Sequence, residues 1–357
     1  RSPPRRGAAE EGGEGGGGGG RTPTPLSPNV VLMTPDDPRL EQLGGKRSFP
    51  EELKIEWDQP QFAALELESV LGEGSGSKVW KASWDGGFAA VKVLKVDPSM
   101  GRDALRRFVQ EAKILRRVRH PSICAFIGTC MQQGFPAIVI EYIPGGSLHE
   151  LLHCPPPPVP GEPPPLPLGS RLLSRIALEV ATGVAYLHDN AIIHRDVKAA
   201  NVLLDDRKHA KVTDFGISTP YKMEHTAETG TYRSMAPEVI SHNRYDSKCD
   251  VYSFGVLLWE ILHQAIPFQN DNGMQVAYAV ATEQRRPPIS LRPDMLAFRD
   301  LIVSCWKQQP DDRPDMPMVV ERLMSLDAQV AVDRRLARLR SQMTDEGSQL
   351  TDERDVD

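Results

Sequence analysis

Regular patterning of apolar and polar positions begins near Phe62. From 65 to 96 the chain reads as strands separated by tight turns: "LELESVL", then "KVWKASW", the turn "DGG", and "FAAVKVLKV". The next segment, "GRDALRRFVQEAKILRRV", changes period. Its apolar positions Leu105, Phe108, Ala112 and Leu115 have helical spacing. Two further strand-like runs, "ICAFIGTCM" and "PAIVIEYI", complete a small β-rich unit that ends near residue 143. Beyond it the pattern is mostly helical, in "LLSRIALEVATGVAYLHDN", across 247–263 and in "MLAFRDLIVSCW". From Pro317 to Met343 apolar residues fall at 319, 323, 326 and 330 and then at 332, 336, 339 and 343. The shift between 330 and 332 argues against one continuous coiled coil. It predicts a last helix packed on the helical unit, followed by a segment that extends away or docks separately.

Three stretches lack such periodicity. Residues 1–50 contain "EGGEGGGGGG" and a proline-rich run with few apolar residues to bury, and are expected to be disordered. Within that run Thr22, Thr24, Ser27 and Thr34 each precede a proline, the form that proline-directed kinases recognise. The insert Cys154–Gly169, "CPPPPVPGEPPPLPLG", separates two helical stretches that proline cannot continue. Its P-x-x-P spacings suit an SH3- or WW-type groove, with a plain spacer as the simpler reading. Residues 327–357 read as a helical extension with an acidic tail. From Thr344 to Asp357 there are six acids and one base, so most of the net charge of −6 sits there.

With 40% hydrophobic and 25% charged residues the chain has an ordinary globular composition. No basic face for nucleic acid is indicated. The longest apolar run, "YSFGVLLWEIL", is shorter than the roughly 18 residues of a membrane span and is broken by Glu260. Five cysteines, at 124, 130, 154, 249 and 305, form no C-x-x-C pair, which fits reduced thiols and a cytoplasmic setting.

The chemistry is carried by three separated pieces. "VLGEGSGSKVWKA" has glycines at 72, 74 and 76, and Ser77 stands where a third glycine of G-x-G-x-x-G would fall. The acid that a dinucleotide site would place about 20 residues on is missing; that position is Lys92, in "AAVKVL". Apolar Val91 and Val93 put Lys92 on the opposite strand face, beside Ala90, where a cation suits phosphate oxygens. "HRDVKAAN" offers a carboxylate, Asp196, a cation, Lys198, and an amide, Asn201, within one irregular stretch. "KVTDFGIS" places Asp214 just after a short strand, where a lone carboxylate suits Mg2+ bound by phosphates.

Taken in order, "GEGSGSKV", "AAVK", "HRDVKAAN", "DFG", "MAPE", "DVYSFG" and "DDRP" resemble the eukaryotic protein kinase domain over residues 62–326. "GTYRSMAPEV" and "CDVYSFGVLLWEIL" are most similar to the tyrosine-kinase-like serine/threonine group, which includes Raf-like and mixed-lineage kinases. The resemblance implies an α+β, bilobal fold with a β-rich N-lobe (62–143) and a helical C-lobe (144–326). It implies that Lys92 contacts the nucleotide phosphates and pairs with Glu111. Asp196 would orient the substrate hydroxyl, Lys198 would steady the transferring phosphoryl group, and Asn201 and Asp214 would hold Mg2+. Main-chain groups of Glu141–Ile143 would read the adenine edge of ATP. Ile140 would control the back pocket, with Leu71, Val79, Ala90 and Leu203 as apolar lining. Glu238 and Arg313 would form a buried ion pair. Thr231 would bridge the catalytic aspartate and lysine, while Thr226 and Thr229 would be regulatory phosphosites facing Arg195.

Three readings therefore stand. The first is an active serine/threonine kinase, or a dual-specificity one, acting on protein substrates. The second is a weakly active or inactive kinase-shaped scaffold. The third, a small-molecule kinase, fits poorly with the polypeptide-docking segment "GTYRSMAPE".

Overall fold

A computed structural model of the chain describes residues 62–352, apart from position 75 and residues 96–100, 133–134, 155–166 and 215–230. The proline-flanked Thr22, Thr24, Ser27 and Thr34, the body of the proline-rich insert, and Thr226 and Thr229 lie outside the described residues.

The alternating segments form one antiparallel sheet. Its strands are β1 (Glu66–Glu73), β2 (Ser77–Trp84), β3 (Gly87–Leu94), β4 (Phe126–Gln132) and β5 (Phe135–Glu141), in the order β1-β2-β3-β5-β4. The β2–β3 turn uses Asp85 at φ 49° and Gly86 at φ 74°. Two successive left-handed residues match the right-handed twist of the flanking strands, and this is the hairpin the "DGG" signal predicts.

Register decides what each sheet face does. Val79 lies opposite Lys92, Lys92 opposite Ile138, and Ala90 opposite Ile140. These residues share one face, because opposed residues in a ladder point the same way. That face meets helix α1 (Gly101–Arg117), where Ile138 and Leu94 pack with Phe108, Ala112 and Leu115. The opposite face buries Ala82, Ala89, Val91, Ala137 and Val139 under Phe62 and Leu65. A one-residue slip in β3 would send Lys92 into that second cluster.

The helical lobe is built on α2 (Leu148–His153), α3 (Ser170–Asp189), α4 (Pro237–Ile240), α5 (Lys248–His263), α6 (Gly273–Ala281), α7 (Arg299–Cys305) and α8 (Met316–Asp352). A two-stranded ribbon, β6 (Val202–Leu204) with β7 (Ala210–Val212), lies between α3 and α4 in sequence. Every residue of α5 from Cys249 to Leu262 is buried, so it is the centre of the lobe. That explains an apolar run which continues on all sides of the helix.

Two expectations change. "MLAFRDLIVSCW" divides into a 3-10 stretch, Pro293–Phe298, and the short helix α7. Apolar spacing alone does not separate these two helical geometries. The helical extension expected from residue 327 is continuous with the last helix, which runs from Met316 to Asp352. Val319, Leu323 and Val330 all belong to the lobe core, so packing continues beyond residue 326.

Candidate active site

The centre of the site is an ion triad. Lys92 Nζ lies 2.6 Å from Glu111 Oε1 and 3.0 Å from Asp214 Oδ1. Sheet register aims Lys92 at α1, and α1 presents Glu111 on the side that also carries buried Ala112 and Leu115. Burial opposes the Lys92 ammonium, but the carboxylates of Asp214 and Glu111 overcome it, so its pKa stands above the ordinary lysine value. For Glu111 burial dominates and pushes the carboxyl up, against the pull of Lys92. Lys92 holds the Asp214 carboxyl below the usual aspartate range, and burial opposes it. Asp214 also occupies the left-handed region, at φ 53°, which is costly for a residue with a Cβ.

The second half of the site is the loop between α3 and β6. The Asn201 amide nitrogen donates to Asp196 Oδ2 and to the Asp196 carbonyl oxygen, both at 2.8 Å. Lys198 Nζ lies 2.8 Å from the same Asp196 Oδ2. Among the described residues, buried Asp196 Oδ1 has no hydrogen-bond partner. A buried carboxylate oxygen without a donor costs free energy, which makes this atom a candidate acceptor for an incoming group. Asn201 uses only its amide nitrogen on Asp196, so its amide oxygen and the Asp214 carboxylate are both hard oxygen donors. Such a set fits a hard divalent cation such as Mg2+.

Support for this loop comes from two residues to which sequence reasoning gave no role. Asp250, on the first turn of α5 and fully buried, accepts the His194 N–H and the Arg195 N–H, each at 2.7 Å. Its Oδ2 also lies 2.9 Å from His188 Nε2 of α3. Arg195 has φ 69°, and the bond to Asp250 offsets the strain of that conformation. His194 accepts the Asp196 N–H at Nδ1, 3.2 Å away, and its Nε2 lies 3.0 Å from the Thr213 carbonyl. The two bonds together require the Nε2–H tautomer. "HRD" and "DVYSFG" were both visible in the sequence, but partners 55 to 56 residues apart carry no local signal.

The nucleotide-lining candidates fall into two groups. Val79, Ala90, Ile140 and Lys92 share the inner sheet face. Gly72, Gly74 and Gly76 lie on the β1–β2 hairpin, where Gly72 pairs with Val79 and Gly74 N–H donates to the Ser77 carbonyl at 3.0 Å. A side chain at Gly72 or Gly76 would meet nothing within 4 Å. The glycines therefore keep open space above the sheet rather than fill a packing gap. Ser77 begins β2 opposite Leu94, so it belongs to the strand and leaves the loop's approach unobstructed. Leu71 is 47% exposed at the end of β1.

Glu141–Ile143 forms the strap between the lobes. The Glu141 carboxylate accepts the Ala125 N–H at 2.6 Å and Lys211 Nζ at 2.9 Å, which fixes the strap from both sides. Among the described residues the Ile143 N–H and carbonyl bond to no other group. Gly145 follows, donating its N–H to the Leu204 carbonyl at 2.8 Å. A Cβ there would stand 2.6 Å from the Asp205 carbonyl oxygen, so the approach requires glycine. The contact brings β6 under the strap, and Leu203 of β6 bridges to Ser147.

Glu238 and Arg313 pair away from the ion triad. Arg313 Nη1 lies 2.6 Å from Glu238 Oε1 and Nη2 lies 2.8 Å from Oε2. The remaining guanidinium donors reach the carbonyls of Lys307, Lys248 and Gln308 at 2.8, 2.9 and 3.0 Å. Every donor is matched, the condition under which a buried guanidinium is tolerated. Thr231 opens a 3-10 turn, Thr231–Arg233, at the end of the segment that holds Thr226 and Thr229.

Residues 65–323 match the protein tyrosine and serine/threonine kinase family. The chain is 37% identical to the serine/threonine-protein kinase STY46 of Arabidopsis thaliana over 74% of its own length and 45% of that protein. It is 37% identical to the mitogen-activated protein kinase kinase kinase 11 of Homo sapiens, over 75% of its length and 32% of that protein. Identity to the serine/threonine/tyrosine-protein kinase HT1 of Arabidopsis thaliana is 34%, over 76% of the chain and 68% of HT1. The chain thus spans less than half the length of the first two relatives.

Proposed function

Because the chain belongs to the protein tyrosine and serine/threonine kinase family, we propose that it is an active protein kinase that transfers the γ-phosphoryl group of ATP to serine and threonine hydroxyls of proteins. The observation that carries this reading is the ion triad together with an Asp196 Oδ1 that has no partner among the described residues. A kinase-shaped scaffold has no use for a buried lysine held between two carboxylates, nor for a carboxylate oxygen kept without a donor.

Family membership carries ATP as phosphoryl donor together with a divalent metal, and the hard oxygen donors Asp214 and Asn201 favour Mg2+. When bound, the metal supplies charge neutralisation of the phosphates. Lys92 provides a fixed positive charge for phosphate oxygens, kept ionised by Glu111 and Asp214. Asp196 Oδ1 accepts the hydrogen of the incoming hydroxyl, and Asn201 and Lys198 hold the other oxygen so that Oδ1 points one way. Lys198 is also positioned to steady developing negative charge on the transferred group. Val79, Ala90, Ile140 and Leu203 form an apolar slot for the base, and the main-chain groups of Glu141–Ile143 read its edge. Positioning and electrostatics account for the chemistry, with no covalent intermediate on the protein.

Lys198, two residues after Asp196, favours serine and threonine over tyrosine. Thr231 is assigned to bridge Asp196 and Lys198, and Thr226 and Thr229 to regulatory phosphorylation, which would add about −1.5 to −2 charge per site with Arg195 as the phosphate's partner by resemblance to the family. The P-x-x-P spacings of the insert would suit an aromatic groove of SH3 or WW type. No helix among the described residues is long and apolar enough to cross a membrane, and a cytoplasmic location is proposed. The test is phosphorylation of a peptide library by the purified chain with Mg-ATP, with Asp214→Asn as control. Serine and threonine incorporation that disappears in the control is expected. Equal or greater tyrosine incorporation replaces the specificity assigned here, and no turnover by the wild-type chain supports the scaffold.

A further inference from the structure

Among the described residues, one cluster of metal-ligating side chains lies apart from the phosphoryl-transfer site. His149 and His153 stand four residues apart on α2, so one turn of helix places both rings on the same side. Their centroids are 4.8 Å apart. Glu260 reaches them from α5, with Oε1 2.8 Å from His153 Nε2. One ligand atom from each of the three residues lies within 4.8 Å of the other two.

Two properties separate this group from a surface ion pair. The first is burial. Side-chain exposure is 8% for His153 and 11% for Glu260, and Glu260 is flanked by the buried Trp259, Ile261 and Leu262. A carboxylate in such surroundings is costly unless a cation meets it, and no lysine or arginine pairs with it among the described residues. The second is the donor set. Two imidazoles at i and i+4 with one carboxylate suit a borderline divalent ion, whereas Mg2+ prefers oxygen alone.

We propose that His149, His153 and Glu260 bind a single zinc-class divalent ion, with three protein ligands and an open fourth position. Zinc sits about 2.0–2.2 Å from nitrogen and oxygen donors, which puts tetrahedral ligand atoms roughly 3.3–3.6 Å apart, so the 2.8 Å His153–Glu260 pair opens slightly and the wider separations close on binding. If His153 ligates through Nε2, the hydrogen of the Nε2–Glu260 contact gives way to the ion and the neutral ring carries its one hydrogen on Nδ1, so both imidazoles ligate as neutral donors. The consequence is mechanical: α2, which follows the strap, is joined to α5, the core of the lobe. The junction sits immediately before Cys154, where the proline-rich insert begins.

The experiment titrates the whole chain, stripped of metal and kept in millimolar Mg2+, with Zn2+ against a chromophoric chelator and with Co2+ as a spectroscopic probe. One Zn2+ per chain is expected, with visible Co2+ bands of low coordination number and a melting temperature that rises on adding Zn2+. His149→Ala and Glu260→Gln should each weaken Zn2+ binding by about tenfold or more. Cys154→Ser should bind as wild type, and kinase activity without zinc should be the same in wild type and His149→Ala. His149 takes no part in the buried His153–Glu260 contact, so His149→Ala decides the matter even if the other variants fold poorly. The proposal is overturned if the wild-type chain takes up no stoichiometric Zn2+, if His149→Ala binds it unchanged, or if binding follows Cys154.

Discussion

The Asp250 carboxylate accepts the main-chain N–H of Arg195 at 2.7 Å, across 55 residues of sequence, and thereby holds Arg195 at a positive φ one residue before Asp196. The conformation of the loop that presents Asp196 is thus fixed by the first turn of a helix in the core. Asp250→Asn leaves one oxygen where two N–H groups and a histidine need acceptors, and turns an amide donor toward one of them. Turnover should fall on the order of a hundredfold, as expected when a reacting group is misplaced by about 1 Å. Stability should fall by about 3 kcal/mol. Steady-state kinetics and denaturant unfolding read the two effects separately. Unchanged turnover would mean that the loop does not depend on Asp250.

Asp196→Asn and Lys92→Met should each lower phosphoryl transfer by about a hundredfold or more, with far-ultraviolet circular dichroism unchanged. The two should differ in nucleotide binding. Lys92→Met removes a phosphate contact and leaves Glu111 buried without its cation, whereas Asp196→Asn touches only the hydroxyl side. Fluorescent-nucleotide titration should show weakened binding in the first variant alone.

A pH dependence follows from Asp214. Its folded pKa is lowered, chiefly by Lys92, so its ionised form stabilises the fold. That contribution is fully present above the unfolded value of about 3.9 and is lost as pH falls through the lower folded value. The stability difference between wild type and Asp214→Asn should therefore be constant from about pH 5 to 8 and shrink below about pH 4. A difference that grew on acidification would reverse the assigned sign.

The last helix gives a boundary to test. Val330 is 5% exposed and belongs to the lobe core, so truncation after Asp327 removes a buried side chain worth about 2 kcal/mol and uncovers its neighbours. Truncation after Asp333 keeps it. Thermal melts should place the shorter chain several degrees below the longer one, with the longer one close to the whole chain.

Thiol reactivity should single out one cysteine. Burial pushes the Cys124 and Cys305 thiols up to about 12 and raises Cys249 as well, while Cys130 is buried. Cys154 is exposed. Iodoacetamide at pH 8 should alkylate Cys154 alone in the folded chain, and peptide mapping should find the other four modified only after unfolding.

Much of this arrangement could be read from periodicity. The β2–β3 hairpin, α1 and α3 show clear repeats, α5 stood out as a long apolar run, and the alternation around Lys92 already put it on the face opposite Val91. Short elements were harder. Helix α2 was legible only as a helical stretch without bounds ahead of the insert, because six residues barely contain one apolar repeat. Its capping box was the available signal: Ser147 accepts the Glu150 N–H, and Glu150 accepts the Ser147 N–H. Long-range supports left no trace in pattern at all. Nothing near Asp250 announces that its acceptors are spent on His194 and Arg195. The Glu238–Arg313 pair was expected only through the kinase resemblance, since two charged residues 75 positions apart carry no spacing rule.

The two ends of the proline-rich insert are fastened almost at one spot. His153, just before it, contacts Glu260, and the N–H of Leu168, its next-to-last residue, donates to Gln264 Oε1 at 3.0 Å. Glu260 and Gln264 are four residues apart at the end of α5, a single turn or about 5.4 Å of rise. Arg292 Nη1 reinforces the return by donating to the Leu168 carbonyl. Chain that leaves and re-enters a rigid frame at neighbouring points exerts no leverage on it, whatever its length. Each doubling of such a loop costs only about 0.6 kcal/mol in closure entropy. Insertions between residues 155 and 166 are therefore expected to be tolerated. A reporter tag, or an entire folded module, spliced there should ride on the enzyme without slowing it.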